Sequence, residues 1–365
     1  MRNVKLALVF ALLASGFLAG LAAGPAGATF PGANGLIAFQ TNRDGNFEIY
    51  SMNAQGGALM RLTNNPDAEN YSPSWSPDGR KLLFRSTRDG NEEIYLMNPD
   101  GSDETRLTFN DTIDRYPAFS PDGSKITYTA YVSDNNSDIF VMNADGSNPV
   151  NLTNNPANDA LSAWSPDGSR IAFVSERDSS KQIYVMDADG GDQTNISNNL
   201  AVEDQPDWSP DGSRIAVDSN RHGDIEIYAM NPDGSAVLRL TEEPLADEEP
   251  DWSPDGTQLV FRSRRNDNTN NEIYVMNANG SNPHNITNNP AFDRNAEWQP
   301  LPQSGDADCN LTVNSIDAAL ILQYGAGLLD TLRCPTNADT NHDGRINSID
   351  SALILQFVAG LVDEL

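Results

Sequence analysis

Two stretches near the C-terminus carry the residue types and spacing of a cation site. Residues 306–317 read DADCNLTVNSID and residues 339–350 read DTNHDGRINSID, with an acid or amide at nearly every second place. A hard divalent cation takes oxygen ligands, and a twelve-residue loop supplies them from positions 1, 3 and 5, the carbonyl of 7, position 9 and a carboxylate at 12. In the first loop those positions hold Asp306, Asp308, Asn310, Thr312 (through its carbonyl), Asn314 and Asp317. In the second they hold Asp339, Asn341, Asp343, Arg345 (through its carbonyl), Asn347 and Asp350. The chemistry is calcium binding, one ion per loop and two in all.

Each loop runs into an apolar segment, and residues 306–329 match 339–362 at 13 of 24 positions. The unit is therefore a loop followed by a helix, repeated once. Gly344 fills position 6 of the second loop, where the chain turns sharply, but Leu311 stands there in the first. A leucine in left-handed geometry costs roughly 1–2 kcal/mol, so the first site is expected to be weaker or differently shaped. The chain's two cysteines, Cys309 and Cys334, fall in the same region. Without further thiol or histidine partners they do not make a zinc site. A disulfide between them would contribute about 3 kcal/mol in the chain-entropy picture. A module this small needs metal, crosslink or both, and without calcium it is expected to be largely unfolded.

Most of the chain is something else. WSPDG occurs at 75–79, 164–168, 208–212 and 252–256, FSPDG at 119–123, and a worn copy at Trp298. A second phrase keeps step with it, from EIYSMN at 48 through EIYLMNPDG at 93 to EIYVMNANG at 272. A fixed period of this length marks a repeat architecture. Within residues 160–197 the reading is strand to Trp164, turn, strand 171–174, turn, strand 183–186, turn, and a fourth strand 193–196. Proline presets φ in the S-P-D-G turn, aspartate caps it, and glycine takes the positive φ. Four short antiparallel strands per period are a propeller blade. The first unit lacks its W-S-P-D-G strand, and the last ends with one. Moving that final strand into the first blade closes a ring of six and removes the exposed edges.

Five residues before each anchoring aromatic stand Asn70, Asp114, Asp159, Glu203, Asp247 and Asp293. Placed at the loops entering the innermost strands, they form a ring at the channel mouth that could hold a cation or a basic or hydroxyl-rich ligand. Alternatively each caps its own loop or pairs with arginine, which is what repetition in every blade favours. Structural needs repeat; binding sites seldom do.

The W-S-P-D-G turn and the I-Y-V-M-N-x-D-G phrase together resemble the WD40-like units of the TolB family of propellers, across all six periods. The resemblance implies a binding platform, usually for a protein partner. The tandem loop–helix units, with aspartate at position 12 and no leading helices, resemble a type I dockerin. That resemblance implies calcium-dependent docking to a cohesin on a scaffold protein. It also implies the contact residues: Ser315, Ile316, Leu322 and Gln323 in one half, and Ser348, Ile349, Leu355 and Gln356 in the other. Part of the L-I-L stripe must serve the module's own core.

The bulk properties agree with an exported binding protein. Arg2 and Lys5 precede an apolar run to about Leu21, and Ala26-Gly27-Ala28 follows, which is the pattern of a secretory leader cut after Ala28. No other segment is apolar enough to cross a bilayer. Asp and Glu number 52 against 23 Lys and Arg, which repels phosphate backbones and argues against nucleic acid. The three histidines, His222, His284 and His342, fall in repeat turns or in the second cation loop, and neither H-E-x-x-H nor G-x-S-x-G occurs.

The expectation is a mainly β chain: leader 1–28, six-bladed propeller 30–300, linker 299–305, and a small α-helical, calcium-held dockerin-like domain 306–365. Its expected role is that of a secreted, monomeric binding protein, more binder than enzyme, docked to a cohesin in an extracellular assembly. The propeller's ligand would be a protein or a polysaccharide. The alternative is a carbohydrate-active enzyme with paired carboxylates at the channel mouth.

Overall fold

The repeated turn shows why the blades form. In S-P-D-G at 165–168, the Gly168 N–H donates to the Ser165 carbonyl (2.8 Å), and Ser165 Oγ donates to Asp167 Oδ1 (2.6 Å). Asp167 Oδ1 also accepts the Ser169 N–H (3.0 Å), and Gly168 takes φ +68°. Strands enter and leave such a turn antiparallel. The computed structural model describes residues 32–178, 180–265 and 270–301, and in the C-terminal part 313, 315–329, 332, 338, 340, 345–359 and 361–362. The expected leader 1–28, both cysteines, and Asp306, Asp308, Asn310, Thr312, Asn314, Asp339, Asn341 and Asp343 lie outside the described residues.

Among the described residues are six four-stranded antiparallel sheets. One blade is representative: β12 (Asp159–Trp164), β13 (Arg170–Ser175), β14 (Gln182–Asp187) and the short β15 (Thr194–Asn195). Trp164 pairs with Ile171, and Phe173 with Tyr184. Both faces of a blade are covered by neighbours, so the middle strands are apolar runs rather than alternating ones. Ile171, Ala172 and Phe173 are fully buried. The core is accordingly a set of layers between blades. Ala38, Ile49 and Leu62 of the first blade pack on Trp75, Phe84 and Tyr95 of the second. Ile37 and Trp298 meet Val260, Ile273 and Val275 at the other seam.

The ring closes as the sequence predicts. The last strand, β24 (Asp293–Leu301), pairs antiparallel with β1 (Ala33–Thr41), and the sheet order is β24, β1, β2 (Glu48–Met52), β3 (Met60–Arg61). We number the blades from this one; blades 2 to 6 follow in chain order and begin at Asn70, Asp114, Asp159, Glu203 and Asp247. The expected propeller (to 300) and linker (from 299) overlap at residues 299–300, and β24 runs through both to Leu301. The cause is the Gln299 side chain: Oε1 accepts the Leu36 N–H (3.2 Å) and Nε2 donates to the Gly79 carbonyl (2.8 Å). Blade 1 is thereby tied to blade 2.

Two further features recur in every blade. Each innermost strand carries a bulge at Ser72, Tyr116, Leu161, Gln205, Glu249 or Asn295, all with positive φ. Each third-to-fourth-strand turn presses a glycine onto the preceding blade. Gly234 has φ +80°, and a Cβ there would lie 1.8 Å from the Ile196 carbonyl oxygen.

The C-terminal part contains α1 (Ser315–Gly325) and α2 (Ser348–Val358). They pack on each other through Ala318, Ile321 and Ile354, with Leu332 and Ala338, and Ser351 Oγ donates to the Ala318 carbonyl (2.9 Å).

Candidate binding sites in the propeller and the C-terminal helices

The six residues expected at the channel mouth are all fully buried: Asn70, Asp114, Asp159, Glu203, Asp247 and Asp293. Their side chains point into the blade layers, and five of them meet an arginine. Arg43 reaches Asp293 (3.2 Å), Arg177 Asp159 (2.8 Å), Arg221 Glu203 (2.6 Å) and Arg265 Asp247 (2.6 Å), while Arg88 donates to Asn70 Oδ1 (3.1 Å). They form no ring open to a ligand. That expectation is corrected: repetition here follows a structural need.

The channel is lined instead by residues two and four places further along each innermost strand. These are Ser72 and Ser74, Tyr116 and Ala118, Leu161 and Ala163, Gln205 and Asp207, Glu249 and Asp251, Asn295 and Glu297. The interior space is about 170 Å³, room for roughly five waters. Its charge is lopsided, because Asp207, Asp251 and Glu297 come from consecutive blades while blades 2 to 4 place Ser74, Ala118 and Ala163 there. Enclosure by protein pushes the Asp207 carboxyl up to about 7 and that of Glu297 up to about 8. Asp251 is held well above the usual carboxylate range by the same enclosure and by the Asp207 and Glu297 charges.

One residue into each innermost strand, and on the strand beside it, the blades differ most. In blade 2 Arg85 lies between the rings of Tyr71 (4.4 Å) and Tyr116 (5.5 Å), and Tyr71 packs on Phe47 (5.3 Å). Burial lowers the Arg85 guanidinium to about 10. In blade 3 Arg115 grips Glu92 with Nε (2.7 Å) and Nη2 (2.6 Å) and reaches the Tyr131 hydroxyl (3.2 Å). Across the ring, blades 5 and 6 carry acids: Asp204 with Lys181 (2.6 Å), Glu248 with Arg262 (2.7 Å), and Asp218 accepting the Glu249 N–H (3.2 Å). Burial, then the Asp204 charge, pushes Asp218 well above its ordinary value. One half of this face therefore offers aromatic rings with arginine, and the other offers carboxylates. Rings, a guanidinium and carboxyls can recognise peptide groups or sugar hydroxyls. At the S-P-D-G end of blades 2 to 4 a wider cavity of about 900 Å³ is lined by Arg80, Lys81, Lys125, Phe119 and Trp164.

In the C-terminal part Asn347 caps α2: its Oδ1 accepts the Ile349 N–H (2.9 Å), and Asp350 Oδ2 accepts the Asn347 N–H (2.8 Å). Asn347 Nδ2 also reaches the Arg345 carbonyl (3.1 Å). The described donors of the second loop are thus hard oxygens gathered at one helix end, and Asp350, like Asp317 of the first, is fully buried. Two buried carboxylates on a small apolar core fit a hard divalent cation. Ile316 and Ile349 are more than half exposed, and Leu322 and Leu355 nearly so. Ser315, Gln323, Ser348 and Gln356 are exposed too, whereas Ile321 and Ile354 form the core.

A family model described as the TolB beta propeller domain matches residues 18–130, 112–205 and 194–304. The chain belongs to the TolB β-propeller domain family. A second model, the dockerin type I domain, matches residues 304–359. Dockerins of this type bind calcium and attach their chains to cohesins in cellulosome-like assemblies. Among solved structures, TolB from Acinetobacter baumannii is 23% identical with a TM-score of 0.65, over 73% of this chain and 67% of that one. The putative TolB from Agrobacterium tumefaciens is 25% identical with a TM-score of 0.56, over 74% of this chain and all of that one. Kuenenia stuttgartiensis hydrazine synthase shares the fold at 16% identity and a TM-score of 0.61, over 74% of this chain and 47% of that one. No curated protein sequence matches the chain. In this TolB-family propeller the residues that differ between blades were missed from sequence. The signal was present: Tyr71, Arg115, Ala160, Asp204, Glu248 and Arg294 share one place in an otherwise uniform repeat.

Proposed function

We propose that this chain is a secreted, non-catalytic binding subunit. Its dockerin is held by two calcium ions and fixes it to a cohesin, and its propeller recognises a protein or carbohydrate ligand on the face where the blades differ. The observation that carries the docking half is the exposure of Ile316 and Ile349, one on each helix, while their neighbours Ile321 and Ile354 are buried. An apolar side chain half exposed at the same place in two related helices is a contact surface, not a core. Ser315, Leu322 and Gln323 flank the first, and Ser348, Leu355 and Gln356 the second.

Asp306, Asp308, Asn310, the Thr312 carbonyl, Asn314 and Asp317 would hold one calcium. Asp339, Asn341, Asp343, the Arg345 carbonyl, Asn347 and Asp350 would hold the other. The ion supplies charge neutralisation for carboxylates that otherwise repel one another. The non-catalytic reading is supported by the channel acids, each of which accepts a backbone N–H. The test is capture of the full secreted chain by its source's cohesin-bearing proteins, in calcium and in chelator. Capture only in calcium, kept by Ile316→Asp or Ile349→Asp alone and lost when both are changed, is expected. Equal capture with both changed overturns the docking surface.

A further inference from the structure

The cavity of about 900 Å³ lies at the S-P-D-G end of blades 2 to 4, the far end of the innermost strands from the face where the blades differ. Comparison with the other blades shows that it is a local gap in the repeat. The residue before the buried methionine of the third strand is 0–6% exposed in blades 1, 4, 5 and 6, as Ser51, Val185, Ala229 and Val275. In blades 2 and 3 it is Leu96 and Val141, both only half-buried and lining the cavity. From blade 2 to blade 6 each S-P-D-G proline packs on the glycine of the next blade's turn. A Cβ on Gly212 or Gly256 would lie 3.1 or 3.3 Å from Pro166 or Pro210, but one on Gly123 or Gly168 would lie 3.8 Å from Pro77 or Pro121. The two loose junctions are those of the cavity.

The base two residues after the turn accounts for the gap. In blade 4 Arg170 lays its guanidinium over Trp208 of blade 5, with Cζ 5.1 Å from the ring centre. In blades 2 and 3 the same place holds Lys81 and Lys125, which turn instead to Asn98 (2.7 Å) and Asn143 (2.6 Å) of their own blades. Phe119 and Trp164 of the following blades are left lining the cavity. Among the described residues neither ammonium pairs with a carboxylate. Arg80 adds a third cation at the rim, where blades 3 to 6 carry serine or threonine. Asp78, Asp122 and Asp167 stand there too, but each accepts its own turn's serine hydroxyl and the N–H two residues on. Asp211 and Asp255 do the same away from the cavity. The acids serve the turns, and the cations are particular to this place.

We propose that this cavity binds a carboxylate carried on an apolar body. Its charge would meet Lys81 and Lys125, and its body would cover Leu96, Val141 and the edges of Phe119 and Trp164. A free acid and the chain end of an apolar peptide share that chemistry, and the test separates them. The site goes beyond the ligand face proposed above and depends neither on that face nor on cohesin docking.

The test is calorimetry on the full chain in calcium, titrated with phenylpropanoate and with the peptide acetyl-Gly-Leu-Phe, each as free acid and as amide. Saturable binding of an acid, absent for its amide, is expected. Binding of the small acid, with or without the peptide, shows that the free group suffices. Binding of the peptide acid alone shows that a chain end is needed; either supports the site. Lys81→Met combined with Lys125→Met should weaken binding at least about tenfold. Val141→Trp fills the space while keeping both lysines, so it should abolish binding. Acid and amide binding alike, unchanged affinity in the double methionine variant, or no saturable binding overturns the site. If Val141→Trp does not fold, the double methionine variant decides. Every variant should still be captured through the dockerin, so loss of capture alone speaks against the docking reading and not this one.

Discussion

Glu297 Oε1 accepts the backbone N–H of Trp75 at 2.9 Å, bonding the last strand of the propeller to the innermost strand of blade 2. Asp251 does the same for Trp298 (2.9 Å) and Asp207 for Trp252 (2.7 Å). Glu297, Asp251 and Asp207 thus stitch three consecutive blade junctions, while their enclosure favours the protonated form.

That arrangement sets a pH dependence. Carboxyls whose folded pKa lies above the unfolded value bind more protons in the folded chain, so they add stability at low pH that is lost as pH rises through the folded value. With Asp207 near 7 and Glu297 near 8, the propeller Tm should fall between about pH 5 and pH 8. Glu297→Gln keeps an acceptor for Trp75 and should flatten that fall, raising Tm at pH 8 by roughly 5 °C and leaving pH 5 nearly unchanged. Calorimetry across that range checks it; an unchanged slope would show that these acids do not titrate there.

Arg177 neutralises a carboxylate with no exposed surface. Arg177→Ala leaves Asp159 buried and unpaired, at a cost of about 3 kcal/mol once the arginine's partial exposure is allowed for. Adding Asp159→Asn should recover most of that loss. Urea denaturation of the single and double variants measures the coupling, and additive losses would rule it out.

Gly234 cannot carry a side chain. Gly234→Ala sets a Cβ against the Ile196 carbonyl of the preceding blade and imposes φ +80° on an alanine. A loss of at least about 3 kcal/mol is expected in the same denaturation experiment. Gly45 also has positive φ but faces open space, so Gly45→Ala should lose only about 1 kcal/mol.

The C-terminal helices share a core of few residues around Ile321 and Ile354, beside the buried Asp317 and Asp350. Chelation should therefore melt this part and leave the propeller transition in place. Differential scanning calorimetry of the full chain, with calcium and then with chelator, should show one transition lost and one unmoved. Loss of both would mean that calcium also holds the propeller.

Blade number and ring closure were legible because a repeat with a fixed period, short of one strand at its start and carrying one extra at its end, admits one simple closure. The two C-terminal helices were legible because an acid-rich loop running into an apolar segment occurs twice in tandem. The channel was not. Reading Asp159 as facing the mouth placed it in the loop entering the strand, but it is the buried first residue of β12, and the bulge at Leu161 decides which side chains face inward; positive φ at a leucine leaves no mark in composition. Residues 299–300 read as propeller and linker at once for a similar reason. Proline beside a polar residue looks like coil until the side chain of Gln299 is seen spanning two blades.

Ring closure by β24 has a mechanical side. The chain leaves the propeller at Leu301, the end of the strand that closes it, and continues into the dockerin. A load borne by the dockerin would reach the propeller at the end of that strand, whose ladder to β1 runs from Leu301 opposite Ala33 to Asp293 opposite Thr41. Force along a strand shears its hydrogen bonds together, whereas force across it would peel them one at a time. Gln299, bonded to Gly79 beside the point of loading, would pass part of that load to blade 2. The element that completes the propeller is also its anchor point under load.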